Sequence, residues 1–285
     1  MKPLPLLLPL LAALALAVAG CARRPAEREF VVIGVVQSPA AGGQIVIQHE
    51  EIPGFMPAMT MPFRAREPDT QGLRRGDRVR FRFVVGEASS RATHFEFLGH
   101  ATPEPAATPA AETPPPAQRL KPGDPVPEFA LIDQDGSTVT SSALRGRLTV
   151  LTFIFTRCPI PEFCPLLARR FAELQNAAAQ DPVLTGVLRL WSITIDPAHD
   201  TPEVLRAYGA AQGADPVRWH FLTGDPAELA RMRQAFAVHA EPANGGIDHS
   251  LATALIDGDG RVKAIWRGNR WTTDEVLTAA RAETR

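Results

Sequence analysis

A Pro/Ala-rich stretch in the middle of the chain, residues 101–119 ("ATPEPAATPAAETPPPAQR"), constrains the fold more than any other feature. It has no hydrophobic periodicity and no large apolar side chain, so it cannot contribute to a hydrophobic core. Such a sequence is typical of a semi-extended linker. We therefore expect two folded modules, a small one at 28–100 and a larger one at 120–285.

The N-terminus predicts the compartment. Lys2 is followed by the apolar run "LPLLLPLLAALALAVAG", which ends directly before Cys21. This run, within residues 1–20, is typical of a secretory signal and is too short for a secure membrane-spanning helix. Its end, "VAGC", resembles the bacterial lipobox, in which the cysteine becomes lipidated. We expect a lipid-anchored protein on the periplasmic side of a bacterial membrane; the alternative is an ordinary cleaved signal with an incidental cysteine.

The small module has the pattern of an all-β domain. Segments such as "EFVVIGVV", "QIVIQHE" and "THFEFLG" are apolar or alternate, and "RVRFRFVV" (78–85) alternates basic and apolar residues almost perfectly. About five short strands in this length, without a helix signal, favour a small OB-like barrel. The net charge of −1 gives the chain no basic field, so we expect no nucleic-acid partner.

The larger module alternates strands and helices. "RLTVLTFIF" (147–155) and "LRLWSITID" (188–196) read as buried strands, and a helical segment follows each of them. A third helix, a hairpin across "GDGR" and a closing helix complete the module. This order predicts an α/β fold of the thioredoxin type.

Two of the three cysteines lie in "TRCPIPEFCP", between the first strand and the first helix of this module. In an oxidising compartment a cysteine pair is by default a disulfide. Cys158 ends the strand, whereas Cys164 precedes Pro165 and is predicted at the N-cap of the helix. We expect the helix dipole to lower the pKa of Cys164, and Arg157 to add positive charge.

The spacing of the two cysteines does not match the common redox enzymes. Thioredoxin-type oxidoreductases use C-x-x-C, whereas Cys158 and Cys164 are separated by five residues. The wider loop leaves room for an ion and still allows a disulfide. His249, in the segment "GGIDHS" with Gly245 and Gly246, could converge on both sulfurs. Two thiolates and one imidazole suit copper, with zinc the weaker candidate because a fourth ligand is missing.

The small module contains three of the five methionines, Met56, Met59 and Met61, in "IPGFMPAMTMPF". On a strand, Met59 and Met61 point to the same face, and His49 ends a neighbouring strand at the margin of the core. Thioether sulfur binds Cu(I), and it is never protonated. The alternative interpretation is that these methionines only fill the core.

The larger module resembles the Sco/SenC family over residues 120–285. The resemblance is carried by "TFIFTRCPIPEFCP", "ITIDPAHDTPEVLRAYG" and "IDHS…LID". It implies a thioredoxin fold that binds copper through Cys158, Cys164 and His249, and a role in assembling the copper centre of cytochrome c oxidase. The family's common loop has three residues between the cysteines instead of five, which favours exchange chemistry or general copper handling as alternatives.

The small module is similar to the CusF-like periplasmic copper-binding proteins, through the pattern "H…MPAMTMPF" over residues 28–100. That resemblance implies Cu(I) ligation by His49, Met59 and Met61. The tryptophan that caps the metal in that family is replaced by Met56, which could supply a third thioether.

Taken together, these features predict a copper metallochaperone that binds Cu(I) or Cu(II), not an enzyme in the strict sense. The expected partner is cytochrome c oxidase subunit II or another periplasmic copper acceptor. Two alternatives stay open: a thiol–disulfide oxidoreductase that reduces a partner's cysteines, and a copper-buffering protein with a structural 158–164 disulfide.

Overall fold

The computed structural model describes residues 27–101, 119–243 and 246–284. The predicted signal peptide (1–20), the predicted lipidation site Cys21 and almost all of the predicted linker lie outside these ranges. None of the helices within the described ranges combines the length and hydropathy that crossing a membrane requires.

The small module is a five-stranded antiparallel sheet in the order β3-β2-β1-β4-β5. Along β4, Arg78, Arg80 and Arg82 are exposed and the intervening apolar side chains are buried, as the alternation predicts. The elements are β1 (Arg28–Ala41), β2 (Gln44–His49), β3 (Met59–Arg64), the single helical turn α1 (Glu67–Thr70), β4 (Asp77–Val85) and β5 (Ser90–His100).

The small module's core is aromatic, with Phe63 in edge-to-face contact with both Phe81 and Phe83. Strands β3 and β5 form the two edges of the sheet, and no hydrogen-bonded ladder joins them among the described residues. The all-β class is therefore confirmed, but the closed OB-like barrel is not.

The larger module has a seven-stranded sheet in the order β14-β13-β8-β9-β10-β6-β7, with β8, β9 and β10 parallel. β8 is buried at all of its positions and lies inside the sheet between β13 and β9, as expected for a central strand. The strands are β6 (Ala130–Asp133), β7 (Thr138–Thr140), β8 (Leu148–Ile154), β9 (Leu188–Thr194), β10 (Trp219–Thr223), β13 (Ala252–Ile256) and β14 (Val262–Arg267). A separate two-stranded ribbon consists of β11 (Ala240–Ala243) and β12 (Gly246–His249).

The helices of the larger module are α2 (Cys164–Gln180), α3 (Pro202–Ala211), α4 (Pro226–Ala235) and α5 (Thr273–Ala282). Thr201 caps α3 as predicted, since its side chain accepts a hydrogen bond from the backbone N–H of Val204. The prediction for α2 is wrong by one position: its N-cap is Phe163, and Cys164 is the first helical residue.

Several strands escaped the sequence analysis. β6, β7, β10 and the β11–β12 ribbon are short, and their segments lack a period that separates them from loops. β10 completes the parallel core beside β9, and β12 carries His249, so the missed elements include the one that presents this residue.

The close pairing of the antiparallel strands β1 and β2 requires a glycine at position 34. A Cβ at this position would lie 2.5 Å from the Cγ2 atom of Ile47, 2.6 Å from the carbonyl oxygen of Gln48 and 2.9 Å from the Cα of His49. The backbone of β2 therefore leaves no space for a side chain here, and a substitution would displace the strand that carries His49.

We predict that Gly34→Ala lowers the free energy of unfolding of the small module by about 1–3 kcal/mol, the usual cost of overpacking. Urea denaturation followed by circular dichroism measures this change. Gly258→Ala is the control, because its added methyl would make ordinary contacts of 3.5 Å. An unchanged unfolding midpoint in Gly34→Ala would show that β2 can move freely away from β1.

Candidate metal centres

The first candidate centre lies where β8 passes into α2. Cys158 follows the strand after a short turn, in which its backbone N–H donates to the carbonyl oxygen of Phe155. Cys164 begins α2 and is fully buried, whereas Cys158 is partly exposed. Both cysteines are free thiols, so the structure corresponds to the reduced protein.

The sulfur of Cys158 contacts the other two candidate ligands of this centre. It is hydrogen-bonded to the Cys164 side chain and to the His249 ring, and it also accepts from the backbone N–H groups of Ile160 and Cys164. The bond from Cys164 and then the one to His249 lower the pKa of Cys158 from 9.0 to about 5, despite the opposing effect of burial. Cys158 is therefore a thiolate at neutral pH.

The sequence analysis assigned the lowered pKa to the wrong cysteine. Burial, followed by the neighbouring Cys158 sulfur, raises the pKa of Cys164 well above its ordinary value. At the helix N-terminus the dipole favours a thiolate, but full burial and an adjacent negative sulfur outweigh it. Arg157 does not supply the expected charge either, because its guanidinium forms an ion pair at 2.6 Å with Asp196.

The ribbon strand β12 brings His249 to this dithiol. Its Nδ1 lies 3.2 Å from the carbonyl oxygen of Ser250, which can only accept a hydrogen bond, so Nδ1 is the donor there. Nε2 is then the nitrogen left for another ligand. The Phe155 ring stands edge-on to the imidazole at 5.4 Å between centroids and limits its rotation. The three predicted ligands of the larger module are thus brought together.

The strand–helix turn is fixed by a buried carboxylate outside the predicted ligand sets, that of Asp200. Asp200 is fully buried, and its carboxylate accepts hydrogen bonds from the backbone N–H and the hydroxyl of Thr156, and from the hydroxyl of Thr194. It thereby holds the turn that precedes Cys158. Only the burial of Asp200 reveals this role.

The second candidate centre is in the small module, around His49. Its ring is 1% exposed, and Nδ1 lies 2.7 Å from the carbonyl oxygen of Glu50, to which it must donate. Burial lowers the pKa of His49 and keeps the ring neutral. The remaining nitrogen, Nε2, is buried without a hydrogen-bond partner among the described residues. A buried lone pair of this kind is what a metal ligand provides.

The methionines lie on the strand next to His49. In the β2–β3 ladder Met59 is directly opposite His49, and Met61 is opposite Ile47. Opposite residues on one face of an antiparallel pair have Cβ atoms about 5 Å apart. Met61 and Met56 are buried and Met59 is partly exposed, so Met59 is the ligand candidate that solvent can reach.

Some candidate ligands of each centre line one cavity of about 780 Å³. From the small module it is lined by Met56, Met59 and Met61, and from the larger module by His249, with Phe155 beside it. The strand β12 packs against β3, which brings the two sets of candidate ligands to facing walls.

The donor atoms of the two centres fit a soft metal. The first offers two sulfurs and one imidazole nitrogen around a single point, and the second offers two or three thioethers with one imidazole nitrogen. Thiolate and thioether sulfur favour Cu(I) among biological metals, and carboxylate, the preferred ligand of hard cations, is absent from both predicted sets.

We predict that iodoacetamide modifies Cys158 before Cys164 in the reduced protein, with a rate that is half-maximal near the pKa of about 5. The thiolate is the reacting species, so the rate falls as the pH falls through this value and stays on a plateau above it. Cys164→Ala should move the half-maximum upward, because the largest cause of the shift is removed. Mass spectrometry of the labelled peptides measures both effects, with His100→Ala as the control; a midpoint near 9 in the unmodified chain would contradict the assignment.

Comparison with known families supports these observations. A family model described as SCO1/SenC matches residues 117–284, and one described as copper binding periplasmic protein CusF matches residues 30–96. Both resemblances stated from the sequence are therefore confirmed, and so is copper as the metal.

Individual relatives match about half of the chain. The chain is 34% identical over 140 residues to the SCO2-like protein RT0576 of Rickettsia typhi, covering 47% of this chain and 65% of the relative. It therefore spans just under two thirds of that relative's length.

Two solved structures share the fold of the larger module. A SCO1/SenC family lipoprotein from Bacillus anthracis aligns with a TM-score of 0.53 and 26% identity, over 59% of this chain and 99% of that one. BsSco, described as a member of the Sco family of cytochrome c oxidase assembly proteins with a disulfide switch, aligns with a TM-score of 0.50 and 25% identity, over 59% and 98%. The family model covers more than half of the chain, and the protein is a copper-binding member of the SCO1/SenC family with an additional CusF-type domain.

Proposed function

We propose that this protein is a copper metallochaperone, lipid-anchored through Cys21 on the periplasmic side of a bacterial membrane. The observation that carries this proposal is the Cys158 sulfur, which is hydrogen-bonded to both Cys164 and His249. A proton held among two sulfurs and one imidazole occupies a position that a three-coordinate copper ion can take. Copper is the cargo here, so the site must both bind and release it.

The two thiols make copper binding depend on redox state. A 158–164 disulfide has no thiolate to offer, so oxidation removes two of the three proposed ligands at once. Protons compete for the same atoms, and copper affinity therefore falls as the pH is lowered. Both dependences are expected of a carrier that must release its ion.

The CusF-type domain supplies a second proposed site, with His49, Met59 and Met61 as ligands and Met56 as a possible third thioether. Methionine sulfur does not form disulfides and does not titrate, so this site keeps its affinity under oxidising conditions. The orphaned Nε2 of His49 supports it. The predicted closed OB-like barrel would hold these ligands at one mouth.

The acceptor is proposed from the relatives. BsSco is described as a cytochrome c oxidase assembly protein, and the B. anthracis relative as a lipoprotein. We propose cytochrome c oxidase subunit II, or another periplasmic copper protein, as the acceptor. This rests on the family, since the chain covers only part of its curated relatives.

A second function, thiol–disulfide exchange with a partner's cysteines, is favoured by one observation. Cys158 is a partly exposed thiolate and Cys164 is a buried thiol beside it, which is how a nucleophilic and a resolving cysteine are arranged. This chemistry does not require the His249 ring, so the two functions can be separated.

We predict that His249→Ala lowers the copper affinity of the reduced larger domain at least about 100-fold, because one of three ligands is lost. Reduction of a mixed disulfide or of a model disulfide substrate should continue at a similar rate. Copper titration followed by absorption and electron paramagnetic resonance, alongside a thiol-exchange assay, measures both. His100→Ala, whose side chain is 78% exposed, is the control. Equal copper uptake by oxidised and reduced protein would exclude the proposed mechanism.

For the second site, Met61→Leu should abolish binding of one Cu(I) equivalent while the fold is kept, since leucine has a similar volume but no sulfur. Equilibrium competition with a chromophoric Cu(I) chelator gives the stoichiometry. The control Met232→Leu changes a methionine that is buried in the other module, 1% exposed. If Met61→Leu still binds both equivalents, Met61 is core filler and not a ligand.

A further inference from the structure

The loop between the two cysteines, residues 159–163, is a contact surface for the small domain. Ile160 lies in this loop, is 3% exposed and belongs to the hydrophobic core of the small domain, although it comes from the larger one. Phe163 and Cys158 pack against the same core. The apolar side of the loop is thus inserted into the other domain.

A polar contact fixes the position of the loop. The carboxylate of Glu162 accepts hydrogen bonds from the backbone N–H of Ser90 and from its hydroxyl, the latter at 2.9 Å. Ser90 begins β5 and is 6% exposed, so the contact is largely shielded from solvent. Hydrogen bonds to a charged acceptor are stronger than neutral ones. These two bonds also fix the orientation of the loop on the small domain, which the apolar contact alone does not.

The same loop is also anchored to its own domain. The amide nitrogen of Asn269 donates to the carbonyl oxygen of Glu162 at 2.7 Å, and Arg169 donates to the carbonyl oxygen of Pro161 at 3.3 Å. The loop therefore links the two domains, and it begins and ends at the cysteines of the proposed copper site.

Because the domains are docked, residues of both of them line the cavity of about 780 Å³. Docking holds the wall formed by Met59 and Met61 against the wall that contains His249. Cys158 itself packs against the cores of both domains. Copper that leaves the thioethers therefore enters a cavity that is also lined by His249, one of the proposed acceptor ligands.

We propose that the 159–163 loop docks the small domain and that copper passes directly across this cavity, from Met59 and Met61 to Cys158 and Cys164. The inference rests on the proposed copper-carrier function. The proposal explains why five residues separate the cysteines. The loop of this length supplies both an apolar contact to the small domain, Ile160, and a polar contact, Glu162.

The transfer step balances without electron transfer. Cu(I) breaks its bonds to the two thioethers and to the His49 imidazole, and forms bonds to two cysteine sulfurs and the His249 imidazole. The proton carried by the Cys164 thiol is released to water, and copper remains Cu(I). Anionic thiolates bind Cu(I) more strongly than neutral thioethers, which gives the transfer its direction.

The test compares transfer within one chain and between chains. Full-length protein with an oxidised dithiol is loaded with one equivalent of Cu(I), and an excess of the phosphine reductant TCEP starts the reaction in the presence of bathocuproine disulfonate. The reaction is quenched with iodoacetamide, which alkylates only cysteines that hold no copper. Mass spectrometry then measures the fraction of Cys158 and Cys164 that copper has protected from alkylation. The comparison is a mixture of copper-loaded Cys158→Ser/Cys164→Ser donor and Met59→Leu/Met61→Leu acceptor.

Within one chain, the transfer rate should be independent of protein concentration and insensitive to the chelator. At about 10 μM protein it should exceed the rate between chains about 100-fold, because a tethered partner has an effective concentration of about 1 mM. Chelator capture of copper to the same extent in both experiments would overturn the inference.

Docking variants test the role of the loop. Ile160→Ala and Glu162→Gln should slow transfer within the chain about tenfold or more, with the copper content of each separately loaded site unchanged. Glu162→Gln changes no apolar contact and so remains informative if Ile160→Ala unfolds. The controls are Ile132→Ala, at a position 38% exposed, and Glu87→Gln, on the exposed turn before Ser90.

Failure of the inference and failure of the proposed function give different results. Docking variants that transfer as fast as the unmodified chain would overturn the role of the loop. If the reduced dithiol takes up no copper from a solution of Cu(I) buffered by a chelator, without any donor protein, the proposed function itself is wrong. The inference is then wrong as well.

Discussion

The candidate dithiol centre depends on one sulfur atom, that of Cys158. The Cys158 sulfur is hydrogen-bonded to the Cys164 side chain, to the His249 ring and to two backbone N–H groups, and these bonds together overcome the cost of burying a thiolate. These bonds hold together three segments of the chain: the turn after β8, the start of α2 and the ribbon strand β12. The same contacts leave a charged, soft ligand ready for a metal ion.

The two domains are joined at this point and not only by the chain between them. The loop that begins at Cys158 and ends at Cys164 places Ile160 in the core of the CusF-type domain and Glu162 against Ser90. A change at the sulfurs, whether metal binding or disulfide formation, therefore acts directly on the segment that holds the domains together. In this protein, domain arrangement and the chemistry of the dithiol share the same residues.

Local patterns predicted the elements, and tertiary contacts account for the errors. The alternation over 78–85 and the caps of α3 depend on neighbours in sequence, so both were predicted correctly. The pKa order of the two cysteines was predicted wrongly because it depends on burial and on the distance between their sulfurs. The contacts of Ile160 could not be predicted, since nothing in "CPIPEFC" indicates which domain receives an isoleucine.

The most direct test of the central claim is X-ray absorption at the copper edge. The reduced full-length Met59→Leu/Met61→Leu protein, loaded with one equivalent of Cu(I), isolates the dithiol centre. We expect two sulfur scatterers and one imidazole nitrogen, with one sulfur lost in Cys158→Ser and the imidazole lost in His249→Ala. A copper environment without the imidazole contribution, or one unchanged by either substitution, would contradict it.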